Sequence, residues 1–291
     1  MNKTIVIYHS ADFDGLFSRE IARLSLPGAE LIGWDYGQPV PVIPEGARLY
    51  MIDISVDGLM DFPGLTWIDH HKSAMEKFAS ITPQPAGLRI DGVAACRLAW
   101  QWFKDAIAAQ SLSKVDFDAR RVSEPLAVTL AGEYDVFNHS DPRAALFQHG
   151  LRSRELTVAL WETLLGIHGI APAMQLVSTL LNDGEAVSFA KTDEHKSVIK
   201  SAGFTVQFEG LTFLACNHAR FNSFLFTAGW TPEHDACLGF CWNGVEKVWK
   251  ISMYGKPGRP EVDLAAIASK HGGGGHRQAC GFKCKSLPFE L

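Results

Sequence analysis

The chain has 291 residues, 47% of them hydrophobic and 11% aromatic, which is enough to bury a sizeable core and excludes a disordered chain. Its net charge of −5, with short basic clusters only at Arg120 and Arg121 and at Arg152 and Arg154, argues against a face that grips long duplex DNA and permits a short phosphorylated substrate. The opening "MNKTIVIYHSADFDG" turns polar soon after its short apolar run, and no run approaches the ~20 residues of a bilayer span. A cytoplasmic protein with no signal peptide and no membrane partner is therefore expected.

In chain order, "TIVIYHS" (4–10) is short, apolar and β-branched, which predicts a buried strand. "FSREIARLSL" has helical spacing and stops at Pro27-Gly28. "AELIGWDYG", "ARLYMIDIS" (47–55) and "LTWIDHH" (65–71) predict three further strands. "DGVAACRLAWQWFKDAIAAQ" (91–110) and "EPLAVTLAGEYDVF" (124–137) predict helices. Apolar strands alternating with helices indicate a mainly parallel sheet covered on both faces. Residues 141–200 look helical throughout.

Past residue 203 the pattern changes. "FTVQFEGLTFLACN", "DACLGFCWNG" and "EKVWKISMYG" alternate like strands between glycine turns, and a helix-like "VDLAAIASKH" leads into "GGGGHRQACGF". A domain boundary is expected near 190–200. Cys237 and Cys241, like Cys280 and Cys284, are four apart, but on strands that spacing only places both on one face. Free thiols in a reducing compartment are the expected reading, rather than a structural zinc.

Open parallel sheets gather ligands at the carboxyl ends of their strands. Strand one ends in "HSADFDG", with His9, Asp12 and Asp14; strand three ends at Asp53; strand four ends in Asp69, His70 and His71; the helix over 124–137 carries Asp135. Gly15 would let the backbone turn tightly after Asp14. Each residue alone suits a cap or turn. Five aspartates and three histidines at four element ends read instead as one site, since like charges repel and their desolvation is costly without cations. Carboxylates suit magnesium or calcium, and imidazoles beside them suit manganese, iron, cobalt or zinc. Two divalent ions roughly 3.5–4 Å apart, sharing a carboxylate and a water, would use the whole set.

"HSADFDG", "DIS", "DHH" and "EYD", in this order, resemble the motifs of the DHH phosphoesterase family, and "GGGGHRQACGF" resembles the glycine-rich signature of its DHHA1 substrate domain. The resemblance spans nearly the whole chain. It implies an α/β fold: a mainly parallel-sheet DHH domain over 1–140, a helical connector over 141–198, and a smaller α/β DHHA1 domain with a mixed sheet over 199–291. It also implies that His9 and Asp12 hold one ion and Asp14, His70 and Asp135 the other, with Asp53 bridging. Manganese comes first, with magnesium, cobalt or iron as alternatives. Asp69 and His71 are then the catalytic pair, Asp69 orienting a neighbouring histidine and His71 facing the substrate.

Four glycines cost a packed helix ~1 kcal/mol each but can turn backbone N–H groups toward an anion. Gly273, Gly274 and Gly275 are expected to cradle a phosphate, with His276, Arg277 and Ser252 as further substrate contacts. The family often carries an arginine where Tyr254 stands in "SMYG". The missing charge would fall to Lys250, Lys256 or Arg259. The expected activity is metal-dependent hydrolysis of linear dinucleotides or two- to five-nucleotide RNA or DNA fragments by an activated water, an oligoribonuclease-like reaction. Cyclic dinucleotides or 3′-phosphoadenosine 5′-phosphate are alternative substrates, and a non-catalytic nucleotide sensor is the alternative of another class. A homodimer is compatible with this reading.

Overall fold

The computed structural model of the protein describes residues 3–136 and 140–290. Phe137, the last residue of the helix predicted over 124–137, lies outside them. The chain divides into two compact units, residues 1–187 and 188–291.

The first unit is built on a parallel sheet of β1 (Thr4–His9), β2 (Glu30–Trp34), β3 (Arg48–Ile52) and β4 (Thr66–Ile68), in the order β2-β1-β3-β4. Its helices are α1 (Phe13–Ser25), α2 (Lys72–Lys77), α3 (Ala95–Lys104), α4 (Ala106–Ala109), α5 (Phe117–Arg120), α6 (Leu126–Asp135), α7 (Arg143–Arg152) and α8 (Val158–Leu164). The division between the units falls inside α9 (Ile170–Ala202). Both sheet faces are buried, which is why the strands read as unbroken apolar runs. Val6, Tyr50, Ile52 and Ile68 join a core with Phe17, Ile21, Leu98 and Val128 from the helices. Ile5, Ile7, Leu49, Met51 and Trp67 join a second core with Met60 and Ala74. Each fully buried aliphatic chain contributes about 1.5–3 kcal/mol.

Two helices depart from the pattern read in the sequence. The first begins at Phe13 rather than Phe17, because Asp12 caps it and accepts from the Gly15 amide at 3.0 Å. The helix expected over 91–110 is two helices. Asp105 has an extended backbone and its carboxylate caps α4, accepting from the amides of Ile107 and Ala108. Residues after 141 also share the core of the first unit: Phe147, Leu151, Trp161, Leu164, Val177 and Leu180 pack in the same cluster as Phe17.

The second unit carries a six-stranded mixed sheet of β5 (Gly203–Phe208), β6 (Leu211–Asn217), β7 (Ala236–Asn243), β8 (Val248–Gly255), β9 (Gly274–His276) and β10 (Ala279–Cys284), in the order β5-β6-β7-β8-β10-β9. Only β6 and β7 pair in parallel. Helix α10 (Leu264–Lys270) covers one face, where Phe213, Leu238, Ile251, Met253 and Phe282 meet Leu264 and Ile267. On the other face Leu214, Cys216 and Cys237 pack with Ile199, Leu225 and Phe226. Cys237 and Cys280 therefore sit in cores on opposite faces, so the two cysteine pairs do not converge on one ion. Among the described residues no helix is long and apolar enough to cross a membrane.

Candidate metal centre

The carboxyl edge of the parallel sheet is where the acids and histidines meet. His9 ends β1. Asp12 and Asp14 flank the start of α1, where the carbonyl of His9 lies so close that a Cβ on Gly15 would stand 1.8 Å from it. Gly15 is thus inside the helix and needed for close approach, rather than for the tight turn expected. Asp53 follows β3 with φ of 63°, a left-handed conformation that aspartate tolerates better than most side chains, and its amide donates to Ile68 at 2.9 Å. His70 follows β4 by two residues, and Asp135 is the last residue of α6.

These six side chains form two sets of potential ligands, His9–Asp12–Asp53 and Asp14–His70–Asp135. Asp53 faces both. One of its oxygens (Oδ2) is 3.4 Å from His9 Nδ1 and the other (Oδ1) is 3.4 Å from His70 Nε2. His9 Nδ1 also lies 2.9 Å from Asp12, and His70 Nε2 lies 3.5 Å from Asp14 and 3.3 Å from Asp135. Among the described residues, His9 Nδ1, His70 Nε2 and both oxygens of Asp53 are buried with no hydrogen-bond partner, despite these approaches. Buried polar groups are ordinarily paired, so four such orphans pointing at one another are the arrangement expected of ligand atoms awaiting cations.

The electrostatics lead to the same conclusion. Burial first, and then the charge of Asp14, pushes Asp53 and Asp135 well above the usual carboxylate range. Burial opposes a charge on His9, but Asp12 and Asp53 outweigh it and raise its pKa to about 11. The four carboxylates of the two sets carry a formal −4, which two divalent cations would cancel. Mixed imidazole and carboxylate donors suit manganese and its transition-metal neighbours. The residues fit a pair of such ions.

Asp69 and His71 form a unit beside this cluster. Asp69 is fully buried and accepts from Trp67 Nε1 at 3.0 Å, from the amides of His70 and His71 at 2.7 and 3.0 Å, and from His71 Nδ1 at 2.8 Å. The histidine it orients is thus His71, whose Nε2 is left for other partners. Burial works against the charge of both members. Their mutual hydrogen bond prevails, holding Asp69 below the carboxylate range and His71 above the imidazole range. His71 Nδ1 is 3.9 Å from Asp53, so the pair borders the centre.

Sequence reasoning passed over Asp35, which follows β2 at the same sheet edge and lies 3.5 Å from His9 Nε2. The signal was an acid at the end of the second strand, in "GWDYG". A groove of about 810 Å³ lined by Ile21, Phe103, Leu126 and Met174 also lies in this unit, toward the far ends of α1 and α3 from the acids. It contains none of the candidate ligands.

The predicted substrate residues lie in the second unit, and their placements differ. Ser252 pairs with Gly281 and Gly281 with Gly274, while the next row along the same face runs Tyr254, Ala279, His276. Ser252, Gly274 and His276 therefore share a face near the sheet's β9 edge. Gly273 does not offer its amide to an anion. That N–H donates to Ala268 at 2.9 Å, and with Gly272 (φ of 75°) it closes the end of α10. Gly275 pairs with Cys280 on the face toward α10, and a Cβ there would meet Ala279 and Cys280 at 2.7 Å. Arg277 turns away to bind the carbonyls of Pro260 and Glu261 at 3.1 and 2.8 Å. Lys256 and Arg259 are also engaged, Lys256 with the carbonyls of Thr231 and His234 and Arg259 with Asp235 and Glu261. Lys250 stands exposed on the same face as Ser252.

No family model and no curated protein matches the chain. Among solved structures it is similar to PggH, a pGpG-specific phosphodiesterase from Vibrio cholerae, with 12% identity over 97% of this chain and 93% of that one and a TM-score of 0.50. It is also similar to a DHH domain described as a member of the s1p family of ribosomal proteins, with 13% identity over 97% of this chain and 82% of that one and a TM-score of 0.52. With the ordered acids and histidines in place on a matching frame, the protein has the fold of the DHH-domain proteins.

Proposed function

We propose that this protein is a metal-dependent phosphodiesterase that hydrolyses short nucleotides. The observation that carries the reading is Asp53, whose two buried oxygens, unpaired among the described residues, face His9 on one side and His70 on the other. His9, Asp12 and Asp53 would hold one divalent ion, and Asp14, His70, Asp135 and Asp53 the second. When bound, such a pair supplies charge neutralisation for a phosphoryl group and acidity for a nearby water.

The chain's own groups account for the rest. The amides of Ala95 and Cys96 donate to the two oxygens of Asp14 at 2.8 and 2.6 Å, which fixes its orientation. Asp69 holds His71 by Nδ1 and favours its protonated form, so Nε2–H is available to protonate the oxygen that leaves phosphorus. Water oxygen bonds to phosphorus and gives up one proton to solvent, the ester P–O bond breaks, and the proton from His71 completes the leaving alcohol, after which His71 regains a proton from solvent. Within the second unit, Ser252, Gly274 and His276 share one face whose polar groups suit a phosphate, with Lys250 supplying charge on the same face.

The protein should be stripped of metal, loaded with manganese and offered linear and cyclic dinucleotides, short oligomers, 3′-phosphoadenosine 5′-phosphate and pyrophosphate. The dinucleotide pGpG, named for a protein of the same fold, belongs first in that panel. Asp53→Ala should take up neither ion and lose turnover. Normal hydrolysis by that variant would falsify the two-ion reading.

A further inference from the structure

We infer that Arg97 is a positioning residue for the ion site of Asp14, His70 and Asp135; this rests on the two-ion reading above. The three ligands come from separate elements: the first turn of α1, the end of β4 and the last residue of α6. Helix α3 touches two of these elements. Its first two amides hold both oxygens of Asp14. One residue further on, the Arg97 side chain turns to α6. Its Nε donates to Glu124, just before that helix, at 2.6 Å, and its Nη1 donates to Glu133, two residues before Asp135, at 2.5 Å.

The grip is a buried one. Arg97 is 5% exposed, and its guanidinium lies 5.0 Å from the ring centroid of Phe117. Its stem presses on Gly132, where an added Cβ would stand 2.7 Å from Arg97 Cδ. One planar fork therefore fixes α6 at both ends and sets how far its final residue reaches toward His70. A lysine would keep the charge but could not reach two carboxylates in two fixed directions. Because the same helix fixes Asp14, a shift of α3 acts directly on two ligands of one ion, whereas His9 and Asp12 are held against each other at 2.9 Å.

The test is a manganese titration of the full-length, metal-stripped protein followed by electron paramagnetic resonance. This counts bound ions and separates a coupled pair from an isolated ion without any assay of turnover. Arg97→Lys and Arg97→Gln should bind one ion with wild-type affinity and the second at least tenfold more weakly, so that the coupled signal gives way to an isolated one. Glu133→Gln, which cuts only one arm of the fork, should shift the second affinity in the same direction by less, and it keeps the test open if the arginine variants do not fold. Unchanged binding of both ions in Arg97→Lys overturns the inference, and so does equal weakening of both, the mark of a general loss of stability. A wild-type protein that takes up no pair sinks the two-ion reading and this inference with it.

Discussion

The two halves of the candidate centre are assembled in different ways. His9, the last residue of β1, and Asp12, which caps α1, lie three residues apart and keep some access to water, with side chains 16% and 38% exposed. Asp14, His70 and Asp135 are gathered from three positions that together span more than a hundred residues, with side chains 0%, 9% and 23% exposed. The first half depends on local chain geometry. The second depends on the packing of α1, α3, α6 and β4, so it should be the more selective site, the slower to exchange its ion and the more easily lost by distant substitution. Asp53 belongs to both and makes them one centre.

The sharpest way to break this contrast is to remove one ligand from each half. His70→Ala should abolish the buried site, leave a single ion at the site of His9 and Asp12 and lower turnover by about a thousandfold or more, since electrostatic groups of this kind supply several kcal/mol to the barrier. Asp12→Asn should do the converse, retaining the buried ion, and metal content by mass spectrometry distinguishes the two outcomes. Equal loss of both ions in each variant would mean that the halves are not separable. His71→Asn is expected to keep both ions and reduce turnover by about 10²–10⁴-fold, the usual range for a proton donor. If its metal content also falls, His71 is a ligand and belongs to the centre itself.

A smaller effect concerns stability. Manganese at a hundred times its dissociation constant should add about 2.7 kcal/mol, which is about 5–10 °C in melting temperature for a unit of this size. The metal-free protein should behave in the opposite sense with pH. Asp53, Asp135, His9 and His71 all have pKa values raised by folding, so the folded state holds more protons than the unfolded one. Above the carboxylate range their contribution to stability declines as pH rises toward about 11, whereas Asp12 and Asp69, both lowered, lose theirs only as pH falls below that range. Melting temperatures of chelator-treated protein across that window check the sign, and a rise with pH would count against the buried acid cluster.

Much of the centre was legible because its chemistry follows strand ends. "HSADFDG" and "DHH" place six of the eight singled-out side chains within two short stretches, and apolar strands alternating with helices locate those stretches at one sheet edge. Long-range partners were not legible. Arg97 sits in "AACRLAWQ" as a single charge in an apolar stretch, and only the packing of α6 shows what it holds. The glycine run misled for a related reason. Its composition announces backbone freedom, but whether that freedom serves an anion, a helix end or a close strand depends on what lies beside each residue. Here Gly272 and Gly273 end α10 and Gly275 packs against β10, so the anion-binding role falls to fewer groups than the run suggested.

The left-handed backbone at Asp53 restricts more than its own residue. Glutamate carries the same charge and could bridge two cations in principle, yet it is poorly suited to that conformation and would place its oxygens one methylene further out. Asparagine keeps the shape and loses the charge. Among common replacements the position is therefore closed to every acid but the one present, which makes the spacing between the two halves a property of the main chain as much as of the carboxylate.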